Sequence, residues 1–390
     1  MTFKLIAGRH NLFDCPIFVN LSEKNIQTEN LSLFEISGPE TIPVDFQVSD
    51  DEKGIWFVIP GTFRAQSERH FELKAENETV SKTAYFMNVK QSEESLLLRR
   101  GKNKILKYQT ETVMPPTGVD PAYQRSGFIH PLWSPAGEVL TRIQPPDHYH
   151  HYGIWGPWTK TQINSREVDF WNLKKKQGTV KFAGLTNITE GPVFCEIKVK
   201  QEHIDFGLNT KSQVAINEEL TVRAWNVGKD AEMIDYITTQ STPLDSGILL
   251  KAYRYGGGIG FRATEKWTKD NCTVLTSEGK ERDSADGTKA RWCRIEGTTP
   301  FGQSGILFMD YPQNREFPEP MRVWPSNSID DKGYFFFEFC PIRHNSWKME
   351  QGKKYQLRYR LFVFDGNLSK EDAEALWQTF ANPPKVIFDE

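Results

Sequence analysis

The chain has little of what several common binding chemistries need. Its 390 residues include five cysteines, Cys15, Cys195, Cys272, Cys293 and Cys340. The number is odd and no C-x-x-C spacing occurs, so neither a disulfide framework nor a cysteine zinc site is written there. Free thiols in a reducing compartment fit better. The formal net charge is −3, which argues against a nucleic-acid protein with its basic domain but leaves room for a local basic pocket. No apolar run reaches the roughly 18 residues of a membrane helix. The opening "MTFKLIAGRHNLFDCPIFVN" lacks the uninterrupted apolar stretch of a signal peptide, so a cytoplasmic or periplasmic protein is expected. No internal repeat suggests a propeller or solenoid.

What is present is mostly strand pattern. Residues 1 to 92 hold "CPIFVNL", "EKGIWFVIP", "RHFELKA" and "KTAYFMNV", apolar or alternating segments separated by turn residues. They predict a small β-sandwich that acts as a support module. Residues 93 to 390 continue with "KILKYQTE", "GTVKFAGL", "VFCEIKVKQEHIDF", "ELTVRAWNV", "SGILFMDY", "GYFFFEFCPI" and "YQLRYRLFVF", many alternating with period two. The expected fold is therefore mainly β: an N-terminal sandwich plus one large sandwich that carries the candidate active site. One helix is expected in "SKEDAEALWQTFANPP". Ser369 is its N-cap, Ala373, Leu376, Trp377 and Phe380 form its apolar face, and Pro383 and Pro384 stop it.

The chemistry concentrates in "PPDHYHHYGIWGPW", residues 145 to 158. Four of the eight histidines, His130, His148, His150 and His151, fall within 22 residues. Pro146 disfavours helix at Pro145, so the stretch enters either extended or as a turn at Asp147. As a strand it would set His148, His150 and Tyr152 on one face and Tyr149 and His151 on the other. Such imidazoles suit acid–base work near neutral pH, and His148 and His150 could hold a divalent metal, although no cofactor is required. Asp147 is placed to orient one ring and fix its tautomer. Structural histidines in a tight turn are the plainer alternative.

These motifs, with "FIHPLWSPAGEVLT", "DFWNL", "YRYGGGIGFRAT", "LTSEGKERDSADGTKARWC" and "MDYPQNREFPEPMRVWP", resemble the PmoA-like domain family over essentially the whole chain. D-H-x-H-H-x-G is the most specific mark. The resemblance implies a β-supersandwich similar to galactose mutarotase and an association with carbohydrate use. That is analogy of fold and does not fix a reaction.

Other stretches add candidates. "YRYGGGIGF" lacks the third glycine of a dinucleotide loop; it reads as a tight turn or as a loop against a sugar, with Tyr253 as a catalytic and Tyr255 and Arg262 as binding candidates. Arg282 and Arg291 are carboxylate forks if they point inward, or parts of a solvated loop if not. Arg322 and Trp324 share one side of an extended segment, where they suit an acidic sugar. Trp155 lies close to the histidines, and Arg343 and His344 lie on an expected turn. The inventory favours β-elimination on an acidic, uronic-acid-containing oligosaccharide, as a lyase or dehydratase, with His130, His148, His150, His151 and Tyr253 catalytic. Glycoside hydrolysis needs a carboxylate pair. Asp147, Glu278, Asp283 and Glu319 are available, but no spacing selects two of them. A non-catalytic or mutarotase-like sugar-binding protein would line its groove with the same rings.

Overall fold

A computed structural model describes residues 1–22, 24, 30–75, 86–207, 211–328 and 331–389. The protein is mainly β, with two eight-stranded antiparallel sheets and one α-helix near the C-terminus among the described residues. The larger sheet orders its strands as Gly178–Thr189, Phe194–Asp205, Gln213–Trp225, Ala231–Ser241, Tyr355–Asp365, Gly302–Asp310, Trp292–Thr299 and Cys272–Thr276. The second runs Met321–Val323, Phe336–Phe339, Ile259–Arg262, Ile154–Trp155, Phe128–Leu132, Asn103–Gln109, Ser95–Arg100 and Met87–Gln91.

Period-two alternation explains how the layers stack. On Tyr355–Asp365, Leu357, Tyr359, Leu361 and Val363 enter a core shared with Leu106, Ile129, Ile154, Phe261 and Phe337 of the second sheet. Phe362 and Phe364 point the other way, onto Leu376, Trp377 and Phe380 of the helix Lys370–Ala381. That strand is thus covered on both faces, which is why it reads as a nearly unbroken apolar run. The helix begins as expected. Ser369 accepts a hydrogen bond from the Asp372 amide, and acidic Glu371 and Asp372 occupy the first turn.

The N-terminal segments form two further sheets. One joins Thr2–Ile6, Leu31–Ser37, Glu40–Val44 and Glu68–Ala75; the other joins Leu12–Asn20, Phe46–Val48 and Gly54–Phe63. Phe3, Leu5, Ile17, Phe57 and Phe71 fill the space around them. The chain end returns here, because Lys385–Phe388 pairs with Thr2–Ile6. Of "KTAYFMNV", residues 82–85 lie outside the described residues. Met87–Gln91 pairs instead with Ser95–Arg100, so the expected boundary near residue 92 falls between two hydrogen-bonded strands. All five cysteines are buried and unbridged. No helix among the described residues is long and apolar enough to cross a membrane.

Candidate active site

The histidine stretch folds as a turn, the second of the two courses that Pro145–Pro146 left open. The His148 amide donates to the Pro145 carbonyl (2.9 Å) and the His151 amide to the His148 carbonyl (3.0 Å). A bridge between Ile143 and Tyr152 closes the loop, and the Gln144 amide donates to the His151 carbonyl (2.8 Å). Gly153 leaves the turn at φ +63°, where an added Cβ would lie 2.2 Å from the Ile129 carbonyl oxygen, so only glycine fits.

The turn replaces the alternating faces of a strand with a three-ring cluster. His148 and His151 stack at 4.6 Å between centroids, and His150 meets them edge-on at 5.3 and 4.8 Å. Their ring nitrogens supply three candidate metal-ligand atoms within 4.8 Å of one another. His151, which a strand would have turned away, is at the centre. Around it stand Phe336 (5.0 Å), Trp155 (5.2 Å), Trp324 (5.6 Å) and Trp171 (6.1 Å). Tyr149 leaves the cluster for Tyr123.

Asp147 organises the charges. Its Oδ2 accepts from Arg262 Nη2 (2.5 Å) and pairs with His148 Nδ1 (3.1 Å), and its Oδ1 accepts from Arg142 Nη2 (3.1 Å). Burial opposes its charge, but the His148 hydrogen bond and the Arg262 and Arg142 guanidiniums outweigh that and hold its pKa below the usual carboxylate range. An ionised carboxylate only accepts, so Nδ1 is the protonated nitrogen of His148 and, in the neutral ring, Nε2 keeps its lone pair. Burial, then the neighbouring His148 and Arg262, pull His150 down to about 3. Burial and His150 likewise hold His151 well below its ordinary value. Arg262 is fully buried beneath Trp324, 4.8 Å from that ring, and burial lowers it to about 10 against the pull of Asp147. Among the described residues its Nε and Nη1 have no partner, nor do His151 Nδ1 and Trp155 Nε1.

The remaining candidates divide by what already occupies them. Trp324 Nε1 donates to the Tyr255 hydroxyl (3.0 Å), and Tyr253 lies 6.1 Å from Tyr255. Arg322 stacks over Tyr255 (5.1 Å) but is paired with Asp286 (2.7 Å), which Arg343 also grips. His130 is apart from the cluster. Its Nδ1 bonds Thr141 Oγ1 (2.8 Å), and burial and then Lys107 lower its pKa to about 4. Arg282 gives its donors to the carbonyls of Trp324, Thr268, Cys272 and Gly333, which ties loops together. Arg291 pairs with Glu374 on the helix, and His344 is exposed. Asp283 caps Ser326, Glu278 is exposed, and Glu319 is fully buried beside Asp310 and Tyr359, where burial raises its pKa.

Arg142, Trp171 and Phe336 also build the site and were not singled out from sequence. Trp171 was visible in "DFWNL" beside the histidine motif. Arg142 is linked to it only by the hairpin that returns residue 152 to residue 143.

A β-sandwich protein with a buried imidazole–arginine cluster walled by aromatic rings is thus defined. The chain belongs to DUF6807, a family of unknown function whose model matches residues 95–378. That model carries no PmoA-like description. No curated protein matches the chain. Among solved structures it is similar to the heparan sulfate lyase HepC from Pedobacter heparinus, at 8% identity and a TM-score of 0.33 over 76% of this chain and 38% of the lyase. It is similar to the putative mutarotase YeaD from Salmonella typhimurium (9%, TM-score 0.36, 74% of this chain and 96% of the other). A GalM/aldose epimerase homologue from C. elegans gives 8%, 0.32, 73% and 100%. Likeness at this level carries no argument about the reaction.

Proposed function

We propose that the protein is a carbohydrate-active enzyme that works at the histidine cluster, and that its reaction is β-elimination on a uronic-acid-containing oligosaccharide. The observation that carries this reading is the company of the three imidazoles. They lie beside a buried arginine with two donor nitrogens unpaired among the described residues and under a tryptophan face, while the nearby carboxylates are already saturated.

Elimination asks for three groups. A cation must hold the sugar carboxylate while negative charge builds on it, and Arg262, buried beneath Trp324 with Nε and Nη1 sealed and unpaired among the described residues, is the candidate. A base must take the proton from carbon 5. His148, with Asp147 on Nδ1, presents Nε2 as acceptor, and His150 remains neutral throughout the physiological range. The electron pair of the broken C–H bond becomes the new double bond between carbons 4 and 5. The oxygen on carbon 4 departs with its bonding pair and takes a proton from an acid, for which Tyr255 and Tyr253 are candidates. A divalent ion bound by His148, His150 and His151 would supply charge to the same carboxylate.

Glycoside hydrolysis is less well supported. Asp147 is held by two arginines and His148. Asp169, the other acid acting on His150, already accepts from the Trp171 and Asn172 amides, Asn172 Nδ2 and Lys175 Nζ. Neither is free to act as nucleophile or acid. A sugar-binding role without catalysis would use the same rings. His150→Gln separates the two. An enzyme loses turnover while keeping its affinity for the oligosaccharide, and a binding module shows no turnover in either form.

A further inference from the structure

Behind Tyr152 lies a second polar feature that the histidine site does not use. Arg125 follows the short 3-10 turn Pro121–Tyr123 and is bridged through its backbone to Val113. It is 3% exposed, yet its guanidinium makes no hydrogen bond or ion pair among the described residues, and Nε and Nη1 are sealed without a partner. The Tyr152 ring lies 5.9 Å away. Glu218 acts on it only at longer range and is itself bonded to His203 and Thr238. Burial lowers the pKa of Arg125 to about 10. A buried charge without a close partner is a standing cost to the fold, which a bound counter-ion would relieve.

Arg125 lines a cleft of about 550 Å³. Nη2 is the donor left to meet it. Lys176 and Lys181 stand at its edge with Asp120, three cationic groups against one acidic. Lys176 is bridged to Asp120 (3.2 Å), whereas Lys181 is exposed, stands opposite Glu202 on the neighbouring strand and makes no ion pair within 4 Å among the described residues. This positive cleft contrasts with a chain whose net charge is −3. Pro121, Leu173 and Val180 line it as well, with Thr112 and Thr179. Leu173 also belongs to the aromatic cluster of Tyr152, Trp155, Trp171 and Trp324, so one wall is common to the cleft and the histidine site.

We propose that this cleft is a second, anion-binding subsite in which Arg125 receives the carboxylate of an acidic sugar. Arg125 Nη2 donates a charge-assisted hydrogen bond to one carboxylate oxygen, Lys181 adds charge at the entrance, and the lining offers a sugar both apolar and hydroxyl neighbours. The choice of a uronate rests on the reading of the histidine site given above. The choice of an anion rests on Arg125 alone.

The test is calorimetric titration and thermal unfolding of the full chain with sodium glucuronate, with methyl glucoside as neutral control and sodium sulfate as a second anion. The variants are Arg125→Met, Lys181→Gln and His150→Gln. Glucuronate is expected to bind wild type and His150→Gln saturably, and methyl glucoside to bind neither cleft group. Arg125→Met should lose at least about tenfold in affinity while unfolding at the same or a higher temperature, because an unpaired charge has been removed. Lys181→Gln, at an exposed position, should fold normally and bind several-fold more weakly. The proposal is overturned if Arg125→Met and Lys181→Gln both bind as wild type, if His150→Gln alone abolishes binding, or if Arg125→Met fails to fold while Lys181→Gln is unaffected. Arg125-dependent binding of sulfate without binding of glucuronate keeps the anion subsite and removes the uronate reading.

Discussion

Two buried arginines, one in each large sheet, are held in opposite ways. Arg360, in the larger sheet, donates Nε and Nη2 to the two oxygens of Asp235 at 2.5 and 2.9 Å, and Trp225 Nε1 adds a third bond to that carboxylate at 2.9 Å. Burial opposes the charge on Asp235, and Arg360 more than restores it. Arg262, in the second sheet, spends one donor on Asp147 and leaves two unpaired. The first arrangement is closed and can only hold the fold. The second retains buried donors that have no partner among the described residues.

The comparison breaks first under mutation of the closed pair. Arg360→Met leaves Asp235 buried and uncompensated and should cost about 3–5 kcal/mol, read as a large fall in Tm. Arg262→Lys should leave the fold nearly intact, since lysine still reaches Asp147. If instead the two substitutions destabilise equally, the division between closed and open arginines is wrong.

Activity should respond in the opposite order. His150→Gln is expected to lower turnover on a uronate-ended oligosaccharide by on the order of a hundredfold, as for removal of a proton acceptor. Arg262→Lys should cost roughly tenfold, ~1.4 kcal/mol of transition-state stabilisation, because an ammonium lacks the planar fork. Arg282→Lys should leave turnover largely unchanged and lower Tm, since Arg282 serves four carbonyls. Steady-state kinetics on the three variants decides the order.

A smaller effect is set by pH. His150 and His130 titrate near 3 and 4 in the folded chain, against 6.5 for an unperturbed ring. Between those values the unfolded chain binds more protons. The stability tied to their neutrality is therefore full above about pH 6.5 and is lost as pH falls towards 4 and 3. Asp147, whose folded pKa is lowered, adds loss in the same direction once pH drops below the usual carboxylate range. Tm should fall steadily from neutral to mildly acidic pH, and His150→Gln should flatten part of that slope. A Tm that rises on acidification contradicts the burial of these rings.

Much of the fold was legible because its long strands alternate. "VFCEIKVKQEHIDF" and "YQLRYRLFVF" fall on Phe194–Asp205 and Tyr355–Asp365. Ala231–Ser241 was not singled out. It is a central strand, and Asp235 reads as polar until Trp225 of the preceding strand and Arg360, 125 residues further on, reach it. The site was legible as a density of histidine, but its geometry was not. Local spacing alone does not choose between a strand and a turn after Pro146, and the turn is what brings His151 in. Arg282 and Arg262 look alike in sequence. Only the carbonyls gathered around one and the missing partners around the other distinguish them.

The most direct measurement is product analysis with a uronate-ended oligosaccharide and its carboxyl-reduced analogue, following the ultraviolet absorbance of an unsaturated uronate together with release of new reducing ends. The account predicts that absorbance rises with the acidic substrate, that the reduced analogue is inert, and that His150→Gln slows the rise by on the order of a hundredfold. Reducing ends released from the neutral analogue without any rise in absorbance would contradict elimination and return the site to hydrolysis.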